Sequence, residues 1–189
     1  MAPRAQGGHR EPAPALRRVR GGLRRHGAAG RRVTDAPAGF RYFAYGSNLS
    51  EARLHENCPS ARLEAVASLS GYGLAFTRRS ERWGGGVADA RPSGGGVVWG
   101  VVWRIDAAEG AALDRQEGVH ASPPRYRRIE VAVTTPGGDM LDCLAYQVVE
   151  PEAEHVAPSA AYLGTMLRGA REAGLPETYV ARLEAIAAG

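Results

Sequence analysis

A chain of 189 residues, 44% of them hydrophobic, is long enough to bury the core of one globular domain. No apolar run reaches the roughly 18 residues of a membrane-spanning helix, so we expect no membrane partner. All 24 basic residues are arginine, and a chain without lysine cannot form a Schiff base with a substrate carbonyl.

The first 38 residues differ in character from the rest. They hold nine arginines against Glu11 and Asp35 and have no periodic apolar pattern, so we predict that residues 1–38 are disordered. A transit peptide and a basic arm for nucleic acid are open interpretations, but we favour non-functional residues added by an upstream start, in a cytoplasmic protein. The remainder is mildly acidic, so its composition predicts no nucleic-acid partner.

The folded domain is predicted over residues 39–189 and opens with a strand at residues 41–45. Gly46-Ser47-Asn48 then ends the strand, and a helix is predicted over residues 50–56. Backbone N–H groups at such a turn point the same way, which favours binding of an anion. The simpler interpretation is an ordinary connection, with glycine for its backbone freedom and Ser or Asn as the helix cap.

The middle of the chain predicts several more strands. Residues 62–68 and 72–77 have strand periodicity, and residues 97–105 form an apolar, β-branched run typical of a central strand. The glycine triplets 84–86 and 94–96 are predicted to be flexible loops around residues 87–90. Neither triplet matches a phosphate-binding loop, which requires a lysine.

A helix is predicted from Asp106 to Glu117. Asp106 is the expected N-cap, with Glu109 as its capping-box partner, and Gly118 is placed to end the helix. We expect Asp114 and Arg115 to face solvent.

Glu117 is the candidate for proton-transfer chemistry. It lies four residues after Leu113 and so shares the apolar face of the helix. Burial raises the pKa of a carboxyl group towards neutrality, which suits a general acid or base. The alternative is a glutamate at a helix end that is solvated or paired with an arginine.

The C-terminal third predicts a β-hairpin and two helices. Residues 126–135 and 140–149 are the strands, joined by a turn at residues 136–139. Residues 159–173 and 176–188 are amphipathic helices separated by Gly174. The whole pattern predicts an α+β fold: a small antiparallel or mixed β-barrel of about six strands with flanking helices.

Other catalytic classes find little support. Cys58 and Cys143 are predicted to be two buried thiols rather than a disulfide, and His55 with Cys58 is too few ligands for a metal site. Ser47 does not lie in a G-x-S-x-G motif, so a serine-hydrolase nucleophile is not expected. We predict no metal and no cofactor.

Several motifs, taken in order, resemble the γ-glutamylcyclotransferase family. They are Tyr-Gly-Ser-Asn-Leu at residues 45–49, Val-Trp-Gly-Val-Val-Trp at 98–103, Leu-Asp-x-Gln-Glu-Gly-Val at 113–119, and Gly-Leu-Pro at 174–176. The resemblance covers about 150 residues from Gly39. It implies a small barrel with helices and release of 5-oxoproline from a γ-glutamyl amino acid or γ-glutamyl amine.

The resemblance also implies roles for particular residues. Glu117 matches the catalytic glutamate of the family. The matching substrate-binding residues are Tyr42, Phe43, Ala44, Tyr45, Gly46, Ser47 and Tyr162. Tyr126 and Tyr146 fall where the family has tyrosines near the pocket.

A small-molecule γ-glutamyl substrate is the expected partner, and a homodimer is left open. The loop between Gly118 and Tyr126 contains Pro123-Pro124, is longer than the family pattern and borders the site, so the leaving group stays undetermined. A binding module that kept the pocket and lost catalysis is the alternative function.

Overall fold

The computed structural model describes residues 38–188, so the prediction of a disordered tail falls, except for Ala38, outside the described residues. Five strands form the sheet: β1 (Gly39–Ala44), β2 (Arg62–Ser80), β3 (Gly85–Asp106), β4 (Tyr126–Thr134) and β5 (Met140–Val148). Four α-helices accompany them: α1 (Glu51–His55), α2 (Gly110–Glu117), α3 (Ala160–Glu172) and α4 (Glu177–Ala188). Short 3₁₀ helices precede α1 and α2 at Ser47–Leu49 and Ala107–Glu109.

The strands close into a barrel in the order β1-β3-β2-β4-β5. All neighbours are antiparallel except β1 and β5, which are parallel. Two contacts that complete the ring are narrow: β1 pairs with β5 at Tyr42 and Leu144 alone, and β2 pairs with β4 at Ser68 and Thr134 alone. The predicted fold class, a mixed barrel with flanking helices, is confirmed with five strands rather than about six.

The lower strand count arises because glycines bend β2 and β3 without ending them. Residues 62–68 and 72–77 belong to one strand, whose register shifts at Gly71 (φ +79°) between Ser70 and Tyr72. The prediction of loops at residues 84–86 and 94–96 was wrong for all but Gly84, since β3 begins at Gly85 and continues through Gly96. Irregularities of this kind add residues to one strand while pairing resumes on either side.

The β4–β5 hairpin agrees closely with its prediction. Each strand ends one residue earlier than expected, and the turn between them contains Gly138 at φ +92°. Val131 and Val133 are buried on one face of β4, as the alternation indicated.

The start of α2 differs from its prediction. Asp106 precedes the 3₁₀ helix but forms no side-chain capping bond, so the predicted capping box was wrong. Glu109 accepts hydrogen bonds from Ser60 instead, at 3.2 Å from the backbone N and 2.6 Å from Oγ. The end is as predicted, since Gly118 adopts the left-handed conformation (φ +71°) and terminates the helix after Glu117.

Helix α3 packs directly against the turn that follows β1. Ser159 caps the helix by accepting from Tyr162 N at 3.2 Å. Gly169 allows the close approach, because a Cβ there would lie 2.2 Å from Ser50 N. This contact places Tyr162 beside the Gly46-Ser47 turn.

Both cysteines are buried and free, as predicted, and burial raises the pKa of each thiol to about 11. Within residues 38–188 no cluster of three or more His, Cys, Asp or Glu side chains suits a metal ion. In the same part of the chain no helix has the length and apolar character needed to cross a membrane.

Candidate active site

A cavity of about 150 Å³ lies beside the turn that follows β1. Its walls come from the turn after β1, the β2–β3 connection, the C-terminal end of α2, the hairpin and α3. Pockets for drug-sized ligands are usually about 300–1,000 Å³. The cavity therefore suits a molecule the size of an amino acid or a small dipeptide.

Glu117 lies in this cavity and is partly buried. Its Oε1 accepts hydrogen bonds from Asn48 Nδ2 at 2.9 Å and from Gln116 Nε2 at 3.3 Å. Among the described residues, Oε2 has no hydrogen-bond donor. Burial raises the pKa of Glu117 to about 7, although the Asn48 hydrogen bond, the charge of Arg53 and the Gln116 hydrogen bond each act to lower it. The carboxyl group can thus gain or lose a proton near neutral pH.

Asn48 connects the turn to α2. Its Nδ2 also donates to the Tyr42 hydroxyl at 3.0 Å, and its Oδ1 accepts from Gln116 Nε2 at 2.8 Å. Its carbonyl oxygen accepts from Trp103 Nε1 at 3.0 Å. Sequence reasoning treated Asn48 only as part of the turn, and the signal for its role was its position directly after Ser47.

Tyrosines line the rest of the cavity around the backbone of Ala88. The Tyr162 hydroxyl accepts from Ala88 N at 3.0 Å, and the Tyr126 hydroxyl donates to Ala88 O at 3.1 Å. Burial raises the pKa of both phenols, so they stay protonated at neutral pH. Gly46 is required beside them, because a Cβ there would lie 2.9 Å from the Tyr162 hydroxyl.

The structure brings most of the predicted site residues together. Those lining the cavity with Glu117 are Tyr42, Tyr45, Gly46, Ser47 and Tyr162, together with Tyr126 and Tyr146. Phe43 and Ala44 do not line it; both are fully buried. Phe43 packs over Gly100, where an added Cβ would lie 2.7 Å from its ring.

Asp114 was predicted to face solvent, and that prediction was wrong. Arg128 donates to its two oxygens at 2.7 and 2.8 Å, and the Tyr146 hydroxyl donates to Oδ1 at 2.8 Å. Burial disfavours the charge, but these hydrogen bonds outweigh it and hold the pKa of Asp114 below its ordinary value. The carboxylate thereby holds the hydroxyl group of Tyr146, which lines the cavity.

Four arginines also line the cavity: Arg53, Arg78, Arg82 and Arg125. Sequence reasoning identified no arginine near the site, because they come from three distant segments. Arg53 is buried and Arg82 is exposed, and both contact Glu56 Oε2, at 2.7 and 3.1 Å. In the described part of the chain, no carboxylate lies within 4.0 Å of Arg78 or Arg125.

A small cavity around a carboxyl group of raised pKa is typical of an enzyme site rather than of a macromolecular interface. The AIG2-like family model matches residues 97–183. The chain is 42% identical over 151 residues to "Gamma-glutamylcyclotransferase" of Bos taurus and 40% identical over 151 residues to that of Homo sapiens, in each case over 78% of both chains. A solved structure of "Gamma-glutamyl cyclotransferase" aligns with a TM-score of 0.74 at 39% identity, covering 78% of this chain and 88% of that one.

The chain belongs to the γ-glutamylcyclotransferase family.

Proposed function

We propose that this chain is a γ-glutamylcyclotransferase that converts a γ-glutamyl amino acid or γ-glutamyl amine into 5-oxoproline and the free amino acid or amine. Glu117 is the general acid/base. The observation that carries the proposal is the position of this carboxyl group in the cavity, with a pKa of about 7 and one oxygen that accepts no hydrogen bond from the described residues.

The reaction is an intramolecular acyl transfer. The α-amine of the glutamyl unit attacks its γ-carbonyl carbon, a C–N bond closes the five-membered ring, and the bond to the leaving nitrogen breaks. Glu117 Oε2 takes a proton from the amine and returns one to the leaving nitrogen, so atoms and charge balance without water. The site must hold the folded substrate and move this proton.

The Gly46-Ser47 turn is the proposed binding site for the developing oxyanion or the substrate α-carboxylate. Leu49 N bonds to Gly46 O at 3.0 Å and Ser50 N bonds to Ser47 O at 3.2 Å, as expected for a 3₁₀ turn. The N–H groups at the start of such a turn have no acceptor within it. Removal of one donor aimed at the developing negative charge typically lowers the rate about 10²–10³-fold.

Neutral tyrosines form the rest of the proposed glutamyl pocket. Tyr42, Tyr45 and Tyr162 are buried at the cavity wall and offer hydroxyl groups and ring faces without adding charge. Because burial raises the pKa of these phenols, none competes with Glu117 as a base near neutral pH. This arrangement supports a single proton carrier.

Glu117→Gln tests the proposal. The amide retains hydrogen-bonding capacity but carries no titratable proton, so we expect kcat for 5-oxoproline release from γ-glutamyl-alanine to fall about 10²–10⁴-fold. Glu130→Gln, an exposed change on β4, is the matched control and should keep full activity. Release of 5-oxoproline by Glu117→Gln at the wild-type rate would contradict the assigned role.

The alternative, a silent binding module, makes a different prediction. Wild-type protein would then bind γ-glutamyl-alanine in calorimetry yet release no 5-oxoproline over hours. The cytoplasmic location and the lack of a nucleic-acid partner stay predictions, and the homodimer stays open.

A further inference from the structure

Three of the four cavity arginines, Arg78, Arg82 and Arg125, are more exposed than the buried cavity tyrosines and form the arginine rim, whereas Arg53 is buried. Tyr42, Tyr45 and Tyr162 are buried, whereas Arg125 is exposed and the Arg82 side chain is 62% exposed. A γ-glutamyl unit bound against these buried tyrosines would extend its leaving group towards the exposed arginines. The substituent on the leaving nitrogen would therefore lie close to the arginine rim.

Two of these arginines are free to bind an anion. Glu56 is shared by Arg53 and Arg82, so one carboxylate partly neutralises two guanidinium groups. Arg78 and Arg125 have no carboxylate within 4.0 Å among residues 38–188. The rim thus has unbalanced positive charge, which matches a carboxylate.

The local structure positions both side chains. Arg125 N bonds to Gly118 O at 2.9 Å, and its aliphatic stem crosses Gly118, where an added Cβ would lie 2.6 Å from Cδ. Gly118 directly follows Glu117 in the chain. Arg78 pairs with Val87 across the β2–β3 ribbon, and both residues line the cavity.

We propose that Arg78 and Arg125 form a subsite for the free carboxylate of the leaving amino acid. The inference rests on the proposed function and narrows it: γ-glutamyl amino acids with a free carboxylate are favoured over γ-glutamyl amines and carboxamides. The loop from Gly118 to Tyr126 supplies Arg125 and so takes part in choosing the leaving group.

Two substrates that differ only at this group test the subsite. γ-Glutamyl-alanine carries the carboxylate, and γ-glutamyl-alaninamide replaces it with a neutral amide. We expect wild-type kcat/KM to favour the acid about tenfold, as for a charge-assisted contact at a partly exposed site. Arg78→Gln and Arg125→Gln should each lower this acid-to-amide ratio, and the double variant should bring it near one.

Arg79→Gln is the matched control, because Arg79 neighbours Arg78 on β2 but does not line the cavity. It should keep the wild-type ratio. An equal loss for acid and amide in the rim variants would overturn the proposal, since it would assign the arginines to the glutamyl α-carboxylate shared by both substrates. A wild-type ratio of one would overturn it too.

A binding measurement separates this proposal from the proposed function. Calorimetry on Glu117→Gln, alone and with Arg78→Gln, compares the two ligands without turnover. A preference for the acid that Arg78→Gln lowers supports the subsite even if wild-type protein releases no 5-oxoproline. Equal affinity for both ligands overturns the subsite, whereas turnover of both by wild-type protein still supports the cyclotransferase.

Discussion

Asp114 and Glu117 lie three residues apart on α2, and their surroundings shift their pKa values in opposite directions. Both are withdrawn from water. Asp114 accepts two hydrogen bonds from an ionised guanidinium group and one from a phenol, whereas Glu117 accepts only from two neutral amides. The charge of the donors, rather than burial alone, decides which carboxylate stays ionised and which exchanges protons.

The comparison predicts opposite effects on stability when each acid is replaced by its amide. Asp114→Asn leaves Arg128 without its carboxylate, and since Arg128 is half exposed we expect a loss of about 2–3 kcal/mol in the free energy of unfolding at pH 7. Urea denaturation measures it. Glu64→Gln breaks the pair with Arg41, in which the carboxylate side chain is 29% exposed against 10% for Asp114, and should cost less than about 1 kcal/mol. Equal costs would show that Asp114 is only a surface ion pair.

Glu117→Gln should instead raise the free energy of unfolding above neutral pH. A raised pKa means that the folded state holds a proton that the unfolded state releases, so the wild-type protein loses stability as pH rises from about 4.5 to about 7. The glutamine variant does not show this loss, because its amide does not titrate. We expect the variant to gain about 2 kcal/mol over wild type between pH 5 and pH 8, measured by urea denaturation at both values. A pH-independent difference would mean that the folded state does not raise the pKa of Glu117.

The smallest expected effect concerns the amides that hold Glu117. Asn48 donates to the ionised carboxylate, so Asn48→Ala should raise the Glu117 pKa further and move the acid limb of kcat/KM from near pH 7 by up to about one unit upward. Gln116→Ala removes a longer contact, 3.3 Å, and should move it less. A downward shift in Asn48→Ala would show that the amide favours the protonated form.

Sequence patterns sufficed for elements whose signal is local. The alternation of β4 and β5, the glycine that ends α2, and the four-residue spacing from Leu113 to Glu117 were all readable in short windows. The spacing made Glu117 a candidate, and the family resemblance matched it to the catalytic glutamate. Its position on an apolar helix face did not depend on any distant partner.

The remaining features of the site depend on contacts between distant segments. Asp114 is covered by Arg128 and Tyr146 from the hairpin, and no pattern within α2 indicates that cover. The arginine rim combines the end of β2, the β2–β3 connection and the loop before β4. Glu109 bonds to the distant Ser60 instead of completing the predicted capping box, because tertiary contacts override local preference.

The narrow joints that complete the barrel have a consequence for motion. The β4–β5 hairpin meets its neighbouring strands at one residue pair on each side, yet it contributes Tyr126 and Tyr146 to the cavity wall. Units held by few cross-links open at a lower free energy than the rest of a protein. We therefore expect amide hydrogens along the outer edges of this hairpin to exchange with deuterium sooner than those of the long β2–β3 ribbon, and a tightly bound ligand to slow that exchange.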